Sequence, residues 1–138
     1  MILHYDLHIH SCLSPCSDDD MTPNNIVNMA LLKGLDLIAV SDHNTVGNVA
    51  AVIHVGEEAG MLVVPAMELC TSEEIHLLCL FPDLSAAIAF AEGVYEGMRV
   101  PDNRPDLFGN QTLMDYHDNE IGQDPRLLFR SKPAFDGA

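Results

Sequence analysis

Residues 6–20 read DLHIHSCLSPCSDDD, a stretch dense in side chains that hold metal ions. His8 and His10 stand two apart. On a strand, residues i and i+2 share a face with Cα atoms roughly 6.5–7 Å apart, so two imidazoles can converge on one ion. Four more residues of ligand type follow: Asp18 in the loop, His43 in SDHNT, Glu68 in PAMEL and His76 in EIHLLCL. Imidazole with carboxylate suits zinc, iron or manganese. Six candidates exceed the four donors of a tetrahedral zinc site, which implies more than one ion. Paired ions roughly 3.5–4 Å apart clamp the attacking and leaving oxygens of a phosphoryl displacement. Asp6 and Asp42 flank the ligand histidines and could orient an imidazole through its other ring nitrogen.

Each residue alone has a plainer reading. His8 could be a satisfied strand histidine, His43 a helix cap, Glu68 a rim carboxylate, and Asp18–Asp20 a solvated loop feeding charge to a helix N-terminus. Their agreement is what argues for a metal site. His4, His54 and His117 fall outside the pattern. Cys12 and Cys16 form a C-x3-C pair that could hold zinc or be ordinary loop and core thiols.

Such residues need elements to position them. Residues 2–9 alternate apolar and polar, the period of a strand with one face on a core. Thr22 and Pro23 read as N-cap and first position of a helix that Gly34 stops after Lys33. LDLIAVS, residues 35–41, reads as a strand buried on both faces. A helix over 48–59 ends at Gly60, and strands follow over 61–69 and 74–81. Asp83 caps a helix over 83–98. This order, β-α-β-α-β-β-α, predicts an α/β fold with a parallel or largely parallel sheet and outer helices. Each strand then delivers a ligand-type side chain, mostly at its C-terminal end, where α/β folds build their sites. Residues 99–110 read as loop, 111–129 as room for a hairpin, and SKPAFDGA as a loose tail.

Composition narrows the partners. The 138 residues suggest one domain, and 48% hydrophobic content supports a core. With 21 acidic residues against 6 basic ones and a formal net charge of -15, a broad nucleic-acid-binding face is not expected. No run approaches the roughly 20 apolar residues of a membrane span, and no secretory signal opens the chain; a cytoplasmic protein with reduced thiols is expected.

With these residues in place, the chain resembles the polymerase and histidinol phosphatase (PHP) family. DLHIHS resembles the family's D-x-H-x-H-S/T motif, and SDDDMTP its S-D-G-x-x-T-P stretch, which aligns Asp18 with a loop aspartate. GLDLIAVSDHNT resembles the segment ending T-D-H-D/N-T. PAMEL resembles G-x-E with Ala66 where glycine is usual, and EIHLLCL the H-L-L segment. The resemblance covers residues 5–81. It implies a distorted (β/α)7-type TIM-like barrel holding two or three divalent ions (manganese, zinc or iron) through His8, His10, Asp18, His43, Glu68 and His76. It also implies hydrolysis of a phosphomonoester or small nucleotide phosphodiester by a hydroxide bridging the ions, with no protein nucleophile. Arg99 and Arg104 are the candidates for gripping a small phosphorylated substrate.

The family supplies further ligands from a later histidine and a D-x-H pair, which this sequence lacks. Residues 1–98 therefore read as the N-terminal part of a PHP domain and 99–138 as a loop, hairpin and tail of the same truncated domain. The missing C-terminal half is the expected partner, and the chain alone is expected to be an impaired catalyst. A non-catalytic metal-binding or regulatory remnant is one alternative. An amidohydrolase-type hydrolase is the other, since that superfamily shares the H-x-H strand.

Overall fold

The computed structural model describes residues 1–128; the expected loose tail at 131–138 lies outside them. The chain runs β1 (Tyr5–Ile9), α1 (Pro23–Leu32), β2 (Leu37–Val40), α2 (Val49–Ala59), β3 (Leu62–Val63), β4 (Ala66–Cys70), β5 (His76–Leu80), α3 (Leu84–Gly97), α4 (Pro105–Phe108), β6 (Thr112–Met114) and β7 (Glu120–Gln123). The helix boundaries follow the local chemistry. The Thr22 side chain accepts from the Asn25 amide, Pro23 opens α1, and Gly34 follows it at φ +73°. Gly60 closes α2 in the left-handed region, and Asp83 caps α3 through the Ala86 amide. These are groups that a helix end must satisfy or a conformation only glycine adopts cheaply.

Three small sheets form, and among the described residues they do not close into a barrel. β1, β2 and β3 pair in parallel, in that order. β4 and β5 are antiparallel, as are β6 and β7. The expectation of a largely parallel sheet therefore holds only for the first three strands. β5 follows β4 through a five-residue connection, too short for the crossover that parallel pairing demands. The expected single strand over 61–69 is also two pieces. Pro65 lacks an N–H, so the ladder breaks there and restarts as β4. The chain nonetheless stays beside β2: the Val64 amide donates to Ile38 O, and the Glu68 amide to Asp42 O. A bridge between His43 and Glu68 extends this parallel pairing beyond the end of β2.

Two apolar clusters anchor these elements. Ile26, Val27 and Ala30 of α1 meet Val52 and Val55 of α2 over Ile38 and Val40 of β2. Ala87, Ala91 and Val94 of α3 pack with Met67 and Leu69 of β4, and with Leu13 and Leu128. Gly56 allows α2 to approach β3: a Cβ there would sit 2.6 Å from a Val63 methyl. The expected hairpin after residue 110 forms as β6–β7. It packs back on the first half, where Thr112 N donates to Cys12 O, and Met114 N donates to Asn48 Oδ1. The short α4 was not expected, since its four residues lie inside a Pro/Asn/Asp-rich stretch.

Candidate metal centre

Glu68 is the middle residue of β4, a strand buried along its whole length. Its carboxylate is the meeting point of four imidazoles. His8 Nε2 lies 3.0 Å from Oε1 and His76 Nδ1 3.8 Å from it. His10 Nε2 and His43 Nδ1 lie 3.0 and 3.1 Å from Oε2. Neighbouring rings meet edge to face, with centroids 5.1 Å apart for His8–His10, 4.5 Å for His10–His43 and 5.6 Å for His43–His76.

The local folding explains this convergence. His8 belongs to β1 and His10 follows its end, so the period of the strand sends both the same way. His43 sits where the backbone leaves β2 and bridges to β4. His76 opens β5 instead of ending it. Because β5 runs antiparallel, its first residue pairs with Cys70, the last of β4, and reaches the same rim. Glu68 lies opposite Leu78, two residues from His76, so both point to one face.

The electrostatics suit a cation. His10 Nε2 and Glu68 Oε2 are buried and, despite their 3.0 Å separation, lack the alignment of a hydrogen bond. Buried polar atoms are almost always hydrogen-bonded, so two left this way and close together are what a cation site would present. Burial lowers the pKa of His43 to about 4, against the pull of Glu68 in the other direction. His43 is thus neutral near pH 7, so protons compete little with a metal for it. Three donor groups have ligand atoms within 4.8 Å of one another: His8–His10–Glu68, His43–Glu68–His76 and His10–Cys16–His43. The first two share Glu68. The residues present therefore fit divalent metal.

Five of the six ligand candidates read from the sequence come together here. Asp18 does not join these donor groups; its Oδ1 accepts from the Asp20 amide, and it borders a cavity of about 540 Å³ that His8, His10 and Cys16 also line. Asp6 and Asp42 act on backbone and hydroxyls. Asp6 Oδ1 accepts from the His8 amide at 3.0 Å. Asp42 is wholly buried and accepts from Ser11 N (2.7 Å), Ser11 Oγ (2.6 Å) and Ser14 Oγ (2.7 Å). Burial pushes its carboxyl up, and those hydrogen bonds work the other way. Arg99 donates to the carbonyls of Glu96 and Met98, and Arg104 pairs with Asp106 at 2.7 Å.

Sequence reasoning left the C-x3-C pair open between zinc and ordinary thiols, and it missed Asn44. Cys16 Sγ lies 2.9 Å from His10 Nδ1, whereas Cys12 is buried and turned to Thr112 O at 3.6 Å. The C-x3-C thiols therefore face different partners. Asn44, at φ +55°, links three segments: its Oδ1 accepts from the Cys70 amide and its Nδ2 donates to Leu128 O. A short polar side chain directly after Asp42–His43 was the available signal, since Asn tolerates the left-handed region.

No protein-family model matches the chain. It is 30% identical over 83 residues to a 5'-3' exoribonuclease of Haemophilus influenzae, a match covering 58% of this chain and 29% of that protein. It is 32% identical over 98 residues to an uncharacterised protein of Methanocaldococcus jannaschii, covering 64% of this chain and 57% of the other. Among solved structures, a candidate metal-dependent phosphoesterase from Bifidobacterium adolescentis shares the fold at TM-score 0.52 and 22% identity, over 70% of this chain and 35% of that one. The lesion-specific endonuclease Q of Pyrococcus furiosus aligns at TM-score 0.57 and 27% identity, over 72% and 27%. An amidohydrolase from Chromobacterium violaceum aligns at 0.55 and 26%, over 68% and 34%. The chain thus spans between about a quarter and somewhat over half of these proteins. The similar proteins of stated activity are hydrolases. No helix among the described residues is long and apolar enough to cross a membrane.

Proposed function

We propose that the chain is the metal-holding part of a PHP-type phosphoesterase, acting on a phosphomonoester or small phosphodiester. The observation that carries this reading is the Glu68 carboxylate with imidazoles of His8, His10, His43 and His76 around it. The phosphoesterase and nuclease among the similar proteins support it. In this reading β1–β2–β3 is the parallel portion of a TIM-like barrel whose remaining strands lie elsewhere. His8 and His76, which face one Glu68 oxygen, and His10 and His43, which face the other, would hold the ions together with that carboxylate. Divalent ions seated there would activate water and neutralise charge on the phosphoryl oxygens.

The chain's own residues do the rest. Glu68 fixes the spacing between the two seats, because the buried strand β4 permits its carboxylate little freedom. Asp42 holds Ser11 and Ser14 and so sets the path of the loop after His10. Asn44 ties the backbone beside His43 to β4. Neutral His43 binds without first losing a proton. Asp18 borders the cavity that His8, His10 and Cys16 also line, and adds negative charge beside it.

The test is metal content followed by substrate choice. Mass spectrometry of the folded chain should find bound manganese, zinc or iron, and His8→Ala with His10→Ala should lower the stoichiometry. Unchanged stoichiometry in that variant overturns the assignment. An amidohydrolase-type reaction is the second reading, favoured by the similarity to the Chromobacterium protein. Metal-dependent release of p-nitrophenol from its mono- and bis-phosphate esters, with no hydrolysis of cyclic amides, separates the two. Bound metal with neither activity supports the remnant.

A further inference from the structure

Cys16 lies in the loop that follows β1, and that loop is held from beneath. Ser14 Oγ donates to buried Asp42, Ser17 N to Ser14 O, and Ser17 Oγ to His10 O. The thiol is thereby kept at the rim, exposed on one side and 2.9 Å from His10 Nδ1 on the other. Its sulfur and one ring nitrogen from each of His10 and His43 lie within 4.8 Å of one another. Glu68 Oε2, on a side chain nine-tenths buried, faces both of those histidines at 3.0 and 3.1 Å without a hydrogen-bond partner of its own. Asp18, the loop residue that the family resemblance would place here, belongs to none of the three donor groups.

We propose that Cys16 supplies a thiolate ligand to a metal ion on the His10–His43 side of the centre, a seat whose loop donor is sulfur in this chain. The inference rests on the metal-centre reading above and sharpens it. His10 stands between two sets of donors, with Nε2 turned to Glu68 and Nδ1 to the sulfur. As the metal–sulfur bond forms, the proton shared by thiol and ring leaves to solvent, and the hydrogen bond between them is replaced by coordination. A soft thiolate beside two imidazoles selects zinc or ferrous iron over manganese or magnesium, which take oxygen donors. Cys12 has no part in it. That thiol is buried and donates to Thr112 O, away from the histidines.

Cobalt(II) is the probe, because a thiolate on cobalt gives a near-ultraviolet charge-transfer band while imidazole and carboxylate ligands do not. The chain is stripped with a chelator, loaded with cobalt and read by absorption, alongside Cys16→Ser and the control Cys79→Ser. The expected result is a charge-transfer band in the wild type and in Cys79→Ser and its loss in Cys16→Ser, with visible ligand-field bands surviving in all three. Ligand-field bands without a charge-transfer band in the wild type overturn the inference and leave the histidine–glutamate centre standing. A band that persists in Cys16→Ser does the same. Absence of cobalt bands altogether removes both the inference and the reading beneath it. Circular dichroism of Cys16→Ser guards against misfolding, and Cys16→Asp gives a second route: it should retain cobalt without the charge-transfer band and move the metal preference toward manganese.

Discussion

Two buried carboxylates stand on neighbouring segments and are used in opposite ways. Asp42 is closed: Ser11 N, Ser11 Oγ and Ser14 Oγ fill its oxygens at 2.6–2.7 Å. Glu68 is open: its oxygens face imidazole nitrogens, and Oε2 makes no aligned hydrogen bond. A satisfied carboxylate fixes backbone. An unsatisfied one, with imidazole nitrogens around it, is a candidate ligand, since leaving such a group buried without a partner is costly. The difference teaches that burial alone does not mark a ligand; what matters is whether the surroundings complete the group.

The largest expected effect comes from closing the open carboxylate. Glu68→Gln removes the charge shared by both seats and offers an amide N–H₂ to the imidazoles. Metal binding should be lost from both seats together, read as stoichiometry by mass spectrometry. Retention of one ion per chain would show that the two seats do not share Glu68.

The next effect is a pH dependence of the metal-free chain. His43 has a folded pKa of about 4 against an ordinary value of 6.5, because it is buried. The unfolded chain takes up that proton first as pH falls. The contribution is therefore complete above about pH 6.5 and is lost on the way down to about pH 4, by at most about 3 kcal/mol. Asp42 opposes this, since its raised carboxyl favours protonation in the folded state as acid is added. Urea denaturation across that window in chelator, compared with His43→Asn, isolates the histidine. An identical pH slope in the two would break the argument.

How far the sequence disclosed this arrangement depends on the range of the forces involved. Thr22, Gly34, Gly60 and Asp83 marked helix ends because capping is settled within four residues. His8 and His10 were legible from strand period alone. The antiparallel course of β5 was not, because pairing partners are chosen by packing across the molecule, and only the shortness of residues 71–75 hinted at a hairpin. Pro65 did mark the break between β3 and β4, but the apolar run MLVVPAMEL hid it. Asp6 and Asp42 looked alike beside their histidines, yet one turned to an amide and the other to two serines. The proximity of Cys16 to His10 depends on how five intervening residues fold over Asp42, which no spacing rule supplies.

Breaking the closed carboxylate should affect stability first. Asp42→Ala leaves Ser11 N and two hydroxyls without their acceptor in a site with no access to water. A loss of about 2 kcal/mol is expected, in line with leaving buried donors unsatisfied. Asp42→Asn keeps one acceptor oxygen and should lose less. Metal stoichiometry at saturating metal should hold in Asp42→Asn. A large metal defect there with unchanged stability would move Asp42 from the scaffold to the centre.

The smallest expected effect concerns a third carboxylate, Asp118, which completes a helix from a distance. It sits in the β6–β7 turn at φ +61°, a region that Asp and Asn tolerate better than most side chains. Its Oδ2 accepts from Thr22 Oγ1 at 2.6 Å, and its Oδ1 from the Asn24 amide and side chain at 3.0 and 2.9 Å. The hairpin thus places negative charge at the N-terminus of α1, where the first amides lack helical partners. Two contributions can be separated. Asp118→Gly relaxes the backbone but removes the cap; Asp118→Asn keeps the conformation and one acceptor while removing the charge; Asp118→Ala loses both. Capping losses run to about 1 kcal/mol, so Asp118→Ala should lower stability by about that or slightly more, with Asp118→Asn the mildest. Metal content should not change in any of the three, because Asp118 touches α1 and not the rim. If Asp118→Gly were as stable as wild type, the conformation and not the cap would be what this aspartate supplies.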